Sequence, residues 1–162
     1  GMTFEEVVDF AAENGLECLE VACWPNFGAK RRYAGVSHID VATLTPEKAE
    51  EIKALCASKG VEISSLCYYP NTMDPDLEKR QSYIDHIYKL IDASAMLDVN
   101  MITTFVGRVP DKTFAENLEI FKEVWPPIVK YMVSSLRLIT SQHTLTWFFS
   151  RTCLIFSSKS YG

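Results

Sequence analysis

Gly60-Val61-Glu62-Ile63-Ser64-Ser65-Leu66-Cys67-Tyr68-Tyr69-Pro70-Asn71 is the stretch whose reading decides the fold. Gly60 closes a helical pattern, an apolar run rich in branched and aromatic side chains extends from Val61 to Tyr69, and a Pro-Asn pair stops it. A short buried strand follows from that order. Outward from this point the same series of signals recurs twice. Cys18 to Trp24 follows Asn14-Gly15, and Met101 to Val106 follows Asp98-Val99-Asn100. Strands that alternate with helices imply a parallel sheet, because each connection has to cross back over it. In such folds chemistry gathers at the carboxyl ends of the strands. Attention therefore falls on Trp24-Pro25-Asn26, Tyr68-Tyr69-Pro70-Asn71 and Gly107-Arg108.

The helices announce themselves by their caps. Thr3 and Glu6 form a capping box ahead of Phe4, Val7, Val8 and Ala11, and Asn14-Gly15 ends that segment. Thr45 as N-cap and Pro46 at the first turn open a second helix, with Ala49, Ile52, Leu55 and Cys56 inward and Gly60 as its stop. Asp74-Pro75 repeats the device. Leu77, Ile84, Ile87, Tyr88, Ile91 and Ala95 then make one stripe, which places His86 on the outer face. A fourth helix is expected after Asp111, with Phe114, Leu118, Phe121 and Trp125 as its apolar row. Pro126-Pro127 should kink or interrupt it, since neither residue has an amide proton to donate.

Composition removes several functions. The 162 residues suit one domain, and the formal net charge of −5 offers no basic field for a nucleic-acid backbone. Lys30-Arg31-Arg32 reads as a solvated loop. The five cysteines, Cys18, Cys23, Cys56, Cys67 and Cys153, are odd in number and lack CxxC spacing. Neither a disulfide framework nor a zinc knuckle is indicated, and a reducing cytoplasm suits them. No apolar run reaches the length of a membrane span, and no signal segment opens the chain. Gly1-Met2 has the look of a tag remnant.

Two segments depart from the regular pattern. The connection from Trp24 to Leu44 is long for a strand-to-helix loop, and its Asn26, Phe27, Tyr33, His38 and Asp40 are the contents of a lid over a small polar ligand. Beyond Tyr131 the character changes: no acidic residue follows Glu123, and residues 132–162 contain only Arg137, Arg151 and Lys159 as basic groups. The tail thus carries +3, against −8 for the part before it.

Four segments carry a resemblance to a known family. They are Gly15-Leu16-Glu17-Cys18-Leu19-Glu20-Val21, Tyr33-Ala34-Gly35-Val36-Ser37-His38-Ile39-Asp40, Ile63-Ser64-Ser65-Leu66-Cys67-Tyr68-Tyr69-Pro70-Asn71 and Thr104-Phe105-Val106-Gly107-Arg108. In order and spacing the chain resembles the xylose isomerase-like TIM-barrel superfamily, in particular its sugar phosphate isomerase/epimerase members grouped with the endonuclease IV-like fold. The resemblance implies an α/β partial (β/α)8 barrel, about three parallel strands with flanking helices, over residues 2–131. It also implies an enzyme that binds a divalent metal (Mn, Mg, Co or Zn) and moves a proton next to a sugar carbonyl. Against that pattern a first strand is missing before Thr3. The fifth-strand Glu, a metal ligand and catalytic carboxylate in the family, is missing after Tyr131. Reading the codons of Met132 to Thr140 one base later permits Gly-Val-Lys-Leu-Ala-Ile-Asp-Asn, close to that missing strand. Residues 132–162 are therefore expected to be an out-of-frame or disordered tail. No catalytic or metal-ligating residue is assigned to this chain, and it is expected to bind no metal and to be inactive alone.

The remaining half of a site would be substrate-binding. A sugar needs aromatic faces for its C–H surface and amides or hydroxyls for its OH groups. Trp24, Tyr68, Tyr69 and Asn71 stand where such groups belong, and core or rim packing is the plainer alternative for the aromatic three. His38 is taken as a substrate contact against a capped loop histidine, and its spacing from Asp40 would also let the two share a metal. Arg108 would hold a phosphate or carboxylate, or else form a strand-end ion pair. Cys67 is read as a buried thiol. The expected ligand is a small sugar or sugar phosphate. A non-catalytic sugar-binding or assembly remnant is the first alternative, and an endonuclease IV-like DNA repair enzyme the second. Three unclosed strands should make the chain self-associate.

Overall fold

The computed structural model describes residues 2–25 and 37–140, with side chains as far as Ser135. Its elements alternate as the sequence requires: α1 (Phe4–Glu13), β1 (Cys18–Ala22), α2 (Pro46–Lys59), β2 (Glu62–Cys67), α3 (Leu77–Met96), β3 (Ile102–Thr103) and α4 (Phe114–Thr140). The three strands form one sheet in the order β1-β2-β3, parallel throughout. This is an α/β arrangement consistent with part of a (β/α)8 barrel.

The caps act as the sequence implies. Thr3 Oγ1 accepts from the Glu6 amide while Glu6 Oε2 accepts from the Thr3 amide, which satisfies two of the free donors at the start of α1. Thr45 accepts from the Lys48 amide at the start of α2, and Gly60 ends that helix in the left-handed region at φ 67°. The cap of α3 is Asp76 rather than Asp74. Asp76 Oδ1 accepts from the Glu78 and Lys79 amides, and Asp74 Oδ1 in turn accepts from the Asp76 amide, so the turn before the helix has its own acceptor. At α4 the capping pair is Thr113 with Glu116, two residues after the expected Asp111.

A bulge in β2 sorts the sheet into two faces. Leu19 pairs with Ile63 but Glu20 pairs with Ser65, so Ser64 is the extra residue, and its hydroxyl donates to the Leu19 carbonyl at 2.9 Å. Side chains alternate across a strand, and one inserted residue reverses the phase of everything after it. Ile63 and then Leu66 and Tyr68 consequently join Leu19, Val21 and Cys23 in the helix-side core. Ser65, Cys67 and Tyr69 turn to the opposite face, beside Glu20. Without the bulge, Leu66 and Tyr68 would leave the core.

That core is closed by α3 and α4. Ile87, Leu90, Ile91 and Ala93 pack with Trp125 and Ile128 against Val21, Leu66 and Tyr68. A second cluster of Val8, Ala11, Cys56 and Val61 joins α1 to α2 beneath the start of the sheet. Three expectations fail here. His86 is only 5% exposed, not outward-facing: its Nε2 meets the Cys23 carbonyl at 2.7 Å, and that bond offsets the cost of burying the ring. Leu77 and Phe114, at 68% and 83% exposed, stand at the first turns of α3 and α4 outside the packed stripe. And α4 is not interrupted at Pro126-Pro127 but runs on to Thr140. Both prolines are exposed, on a side where carbonyls left unbonded are open to solvent, while Trp125 and Ile128 hold the helix to the core on the other side.

Asn26, Phe27, Lys30-Arg31-Arg32 and Tyr33 of the long connection lie outside the described residues. So do Trp147-Phe148-Phe149, Cys153 and Leu154-Ile155-Phe156. Within the expected tail, residues 132–140 are described as a continuation of α4.

Candidate functional site

Glu20 is the centre of the face turned away from the helices. Its neighbours in β1, Leu19 and Val21, point to the core, and alternation places its carboxylate on the other side. Three hydroxyls converge on it. Tyr69 Oη donates to Oε1 at 2.7 Å, Thr103 Oγ1 donates to Oε2 at 2.8 Å, and Ser65 Oγ donates to Oε2 at 3.1 Å. Tyr69 Oη also lies 3.1 Å from Thr103 Oγ1. One side chain from β1, two from β2 or its end, and one from β3 are thereby tied together.

This arrangement fixes protonation. Desolvation acts to raise the pKa of Glu20, but the hydrogen bonds from Tyr69, Thr103, Ser65 and Cys67 outweigh it, and the carboxyl is held below its ordinary value. Burial, with the adjacent Glu20 charge, pushes the Tyr69 phenol up to about 12 against the lowering effect of Thr103. Near neutral pH the cluster is thus a carboxylate held by protonated hydroxyls. A carboxylate so stabilised is a poor proton acceptor and a good fixed hydrogen-bond acceptor. Burial likewise pushes the thiols of Cys23 and Cys67 up to about 12, which keeps them protonated and unreactive.

The aromatic residues separate by face. Tyr68 is 1% exposed, edge-on to Trp24 at 4.9 Å between ring centroids and to His86 at 4.6 Å. It belongs to the helix-side core, and Trp24 packs against that core half-buried. Tyr69 faces the other way and meets Phe105 at 4.7 Å, with the rings inclined by 44°. Phe105, two residues beyond the end of β3 and placed on this side by that ring contact, is 59% exposed.

Asn71 stitches two strand-end loops. Its Nδ2 donates to the Arg108 carbonyl, and its Oδ1 accepts from the Arg108 amide, both at 2.9 Å, and from the Met73 amide at 3.2 Å. Thr72 adds a bond from its hydroxyl to the Val106 carbonyl at 2.7 Å. The Arg108 backbone is therefore held, and its exposed side chain has no carboxylate partner among the described residues. His38 is half-buried and donates its amide to the Ala22 carbonyl at 2.9 Å, next to a single bridge between Cys23 and Ser37. Asp40 Oδ1 accepts from the Ala42 amide at 3.0 Å and so shapes its own turn.

Of the six residues singled out from sequence, Tyr69 is in the hydroxyl cluster, and Asn71 and Arg108 share the adjoining loop contact. Tyr68 and Trp24 pack on the other side. Glu20, Ser65, Thr103 and Phe105 are additions from the tertiary structure. Glu20 did carry a signal, as the charged residue inside an otherwise apolar strand.

The family model for a xylose isomerase-like TIM barrel matches residues 8–140. The chain belongs to that family. Solved barrels share the fold at low identity. One is a protein from Sinorhizobium meliloti 1021 at 18% identity and TM-score 0.52, with 85% of this chain and 43% of that one covered. Another is a xylose isomerase domain protein from Planctomyces limnophilus at 13% and 0.52, covering 83% and 53%. A third is D-psicose 3-epimerase with D-tagatose from Clostridium cellulolyticum H10 at 16% and 0.57, covering 83% and 45%. The chain spans about half the length of these barrel proteins. No curated protein matches it.

The metal that the resemblance implies has no matching donor set among the described residues. Among the described residues no three His, Cys, Asp or Glu side chains converge. Glu20, the carboxylate at the centre of the cluster, has both oxygens engaged by hydroxyl protons, which a cation would have to displace. These residues do not fit a divalent ion as a resident ligand set. No described helix is long and apolar enough to cross a membrane.

Proposed function

We propose that the chain contributes the substrate-holding part of a sugar isomerase or epimerase, an activity that belongs to a whole barrel. The Glu20–Ser65–Tyr69–Thr103 cluster carries this reading. It joins all three strands on the face opposite the helices, which in a closed barrel is the inner face. A fixed carboxylate and hydroxyls beside an exposed aromatic pair suit a polyhydroxy ring. His38, Asn71 and Arg108 are assigned to the rim around that ring, with Asn71 holding the loop that presents Arg108, while Trp24 and Tyr68, packed on the helix side, are left out of it.

Proton transfer next to a carbonyl calls for a group whose pKa lies near the working pH. Glu20 sits below that range and Tyr69 well above it, so neither is assigned the catalytic step. The chain by itself should bind sugar without converting it. Product analysis after incubation with ketoses and aldoses, with Mn²⁺, Mg²⁺ or Co²⁺ added, tests this. Conversion abolished by a chelator would overturn it.

A sugar-binding remnant without chemistry is the second reading. It is favoured by the lack of a converging ligand set among the described residues, and retained sugar binding by a whole-length barrel that shows no turnover would select it. The reduced Cys18, Cys23, Cys56 and Cys67 are in keeping with a cytoplasmic setting.

A further inference from the structure

The protons of the hydroxyl cluster have acceptors within it. Tyr69, Thr103 and Ser65 each have a single O–H; Glu20 accepts from all three, and Thr103 Oγ1 is a second acceptor for Tyr69. What remains to face a ligand is lone pairs on the Tyr69 and Thr103 oxygens and the negative charge of Glu20. Such a surface accepts hydrogen bonds and offers none from these groups. A sugar hydroxyl can donate to it. A phosphate, which is anionic and offers only acceptors near neutral pH, meets like charge and no donor.

The neighbouring surface is apolar, made by two rings inclined to each other by 44°. The Tyr69 ring is held in place through its own hydroxyl, and Phe105 lies against it with more than half of its surface free. An aromatic pair fixed in this way suits the C–H face of a pyranose or furanose ring, whose edge hydroxyls then reach the acceptors beside it.

Resting on the sugar-binding reading above, we infer that this face takes a neutral sugar or polyol. The ring lies on Tyr69 and Phe105, its hydroxyls donate toward the Glu20 cluster, and the phosphorylated end of a sugar phosphate is excluded from this position. Glu20 acts as a positioning residue for Tyr69 and as the source of the charge that rejects anions.

The full 162-residue chain can be tested by saturation-transfer NMR titration. The neutral probes are D-fructose, D-tagatose, D-xylose and D-glucose, and the charged ones D-fructose 6-phosphate and D-glucose 6-phosphate. At least one neutral sugar should bind tenfold or more tightly than either phosphate. Phe105→Ala, at an exposed position, should weaken that sugar at least fivefold, and Glu20→Gln should narrow the gap between sugar and phosphate. A phosphate that binds as well as or better than the neutral sugars would overturn the inference and leave the sugar-binding reading standing. Loss of such binding in Arg108→Gln would then place the phosphate at the loop. Neutral binding unchanged in Phe105→Ala would remove the aromatic platform alone. Absence of binding by every probe would sink the underlying reading and this inference with it.

Discussion

Replacing Gly107 by alanine should cost far more than the same change at Gly60, although both residues have nearly the same backbone. Gly107 has φ 77° and Gly60 has φ 67°, in the left-handed region that β-carbons disfavour by about 1–2 kcal/mol. A β-carbon on Gly60 meets nothing within 4 Å, so that conformational cost is the whole effect. On Gly107 it would overlap the Asn71 amide oxygen, with Asn71 Cγ at 2.8 Å and the Asn71 backbone Cα at 3.0 Å. The amide has to leave, and its bonds to the Met73 amide, the Arg108 amide and the Arg108 carbonyl leave with it. Three such bonds at about 0.5–1.5 kcal/mol each bring the expected loss for Gly107→Ala to about 2.5–6.5 kcal/mol. Equilibrium urea unfolding followed by far-UV circular dichroism reads the difference. With a slope of about 2 kcal/mol per molar, Gly107→Ala should lower the midpoint by about 1.3–3.3 M and Gly60→Ala by about 0.5–1 M. Equal midpoints for the two variants would refute the claim that Asn71 locks the two loops together. In an Asn71→Ala background Gly107→Ala should cost less than in the parent but still more than Gly60→Ala, because the two nearest clashes and the bonds share one side chain while the Asn71 backbone contact at 3.0 Å stays.

His86 provides a pH test. Burial lowers its pKa, the Cys23 carbonyl and Asp40 oppose that, and Lys89 adds to it. A depressed value means that the unfolded chain takes the proton first. The stabilising effect of the neutral ring is complete above about 6.5, the unfolded value, and is lost as pH falls below it. Urea midpoints of the parent should drop between pH 7.5 and 5.5 more steeply than those of His86→Gln, and parallel profiles would remove the histidine from the account. Deleting residues 132–162 tests the boundary drawn in the sequence at Tyr131. A tail that begins at residue 132 predicts an unchanged thermal midpoint, whereas α4 and the family match both run on to residue 140 and Met132 packs half-buried on the core, so a cooperative loss would make the end of α4 part of the fold. Light scattering at micromolar concentration should show self-association, given Phe105, Leu77 and Phe114 exposed among the described residues. A monodisperse monomer would argue that the sheet is already closed.

Local signals were enough to establish the alternation of helices and strands, the parallel sheet and most helix ends. Thr3, Thr45 and Gly60 act on their own neighbours within a few residues, so their effect can be read from sequence. Stripe assignments on α3 were less dependable. His86 looks solvent-facing in a helical pattern, and only the Cys23 carbonyl, supplied from the end of β1, makes its burial tolerable. The prolines of α4 could be judged only once their solvent-facing side was known.

The cluster at Glu20 shows where sequence reading stops. Its members lie 45, 49 and 83 residues from Glu20 along the chain, and their meeting depends on a single inserted residue, Ser64, that reverses the phase of β2. Periodicity could announce a strand from Val61 to Tyr69 but not which of Tyr68 and Tyr69 would face the helices. That choice depends on the register between strands, set by pairing with β1 and by the apolar surface of α3 and α4. Sequence by itself determined the order of the elements and the family they resemble. Tertiary structure decided which side chains share a face, because strand pairing and core packing are contacts between residues distant in the chain.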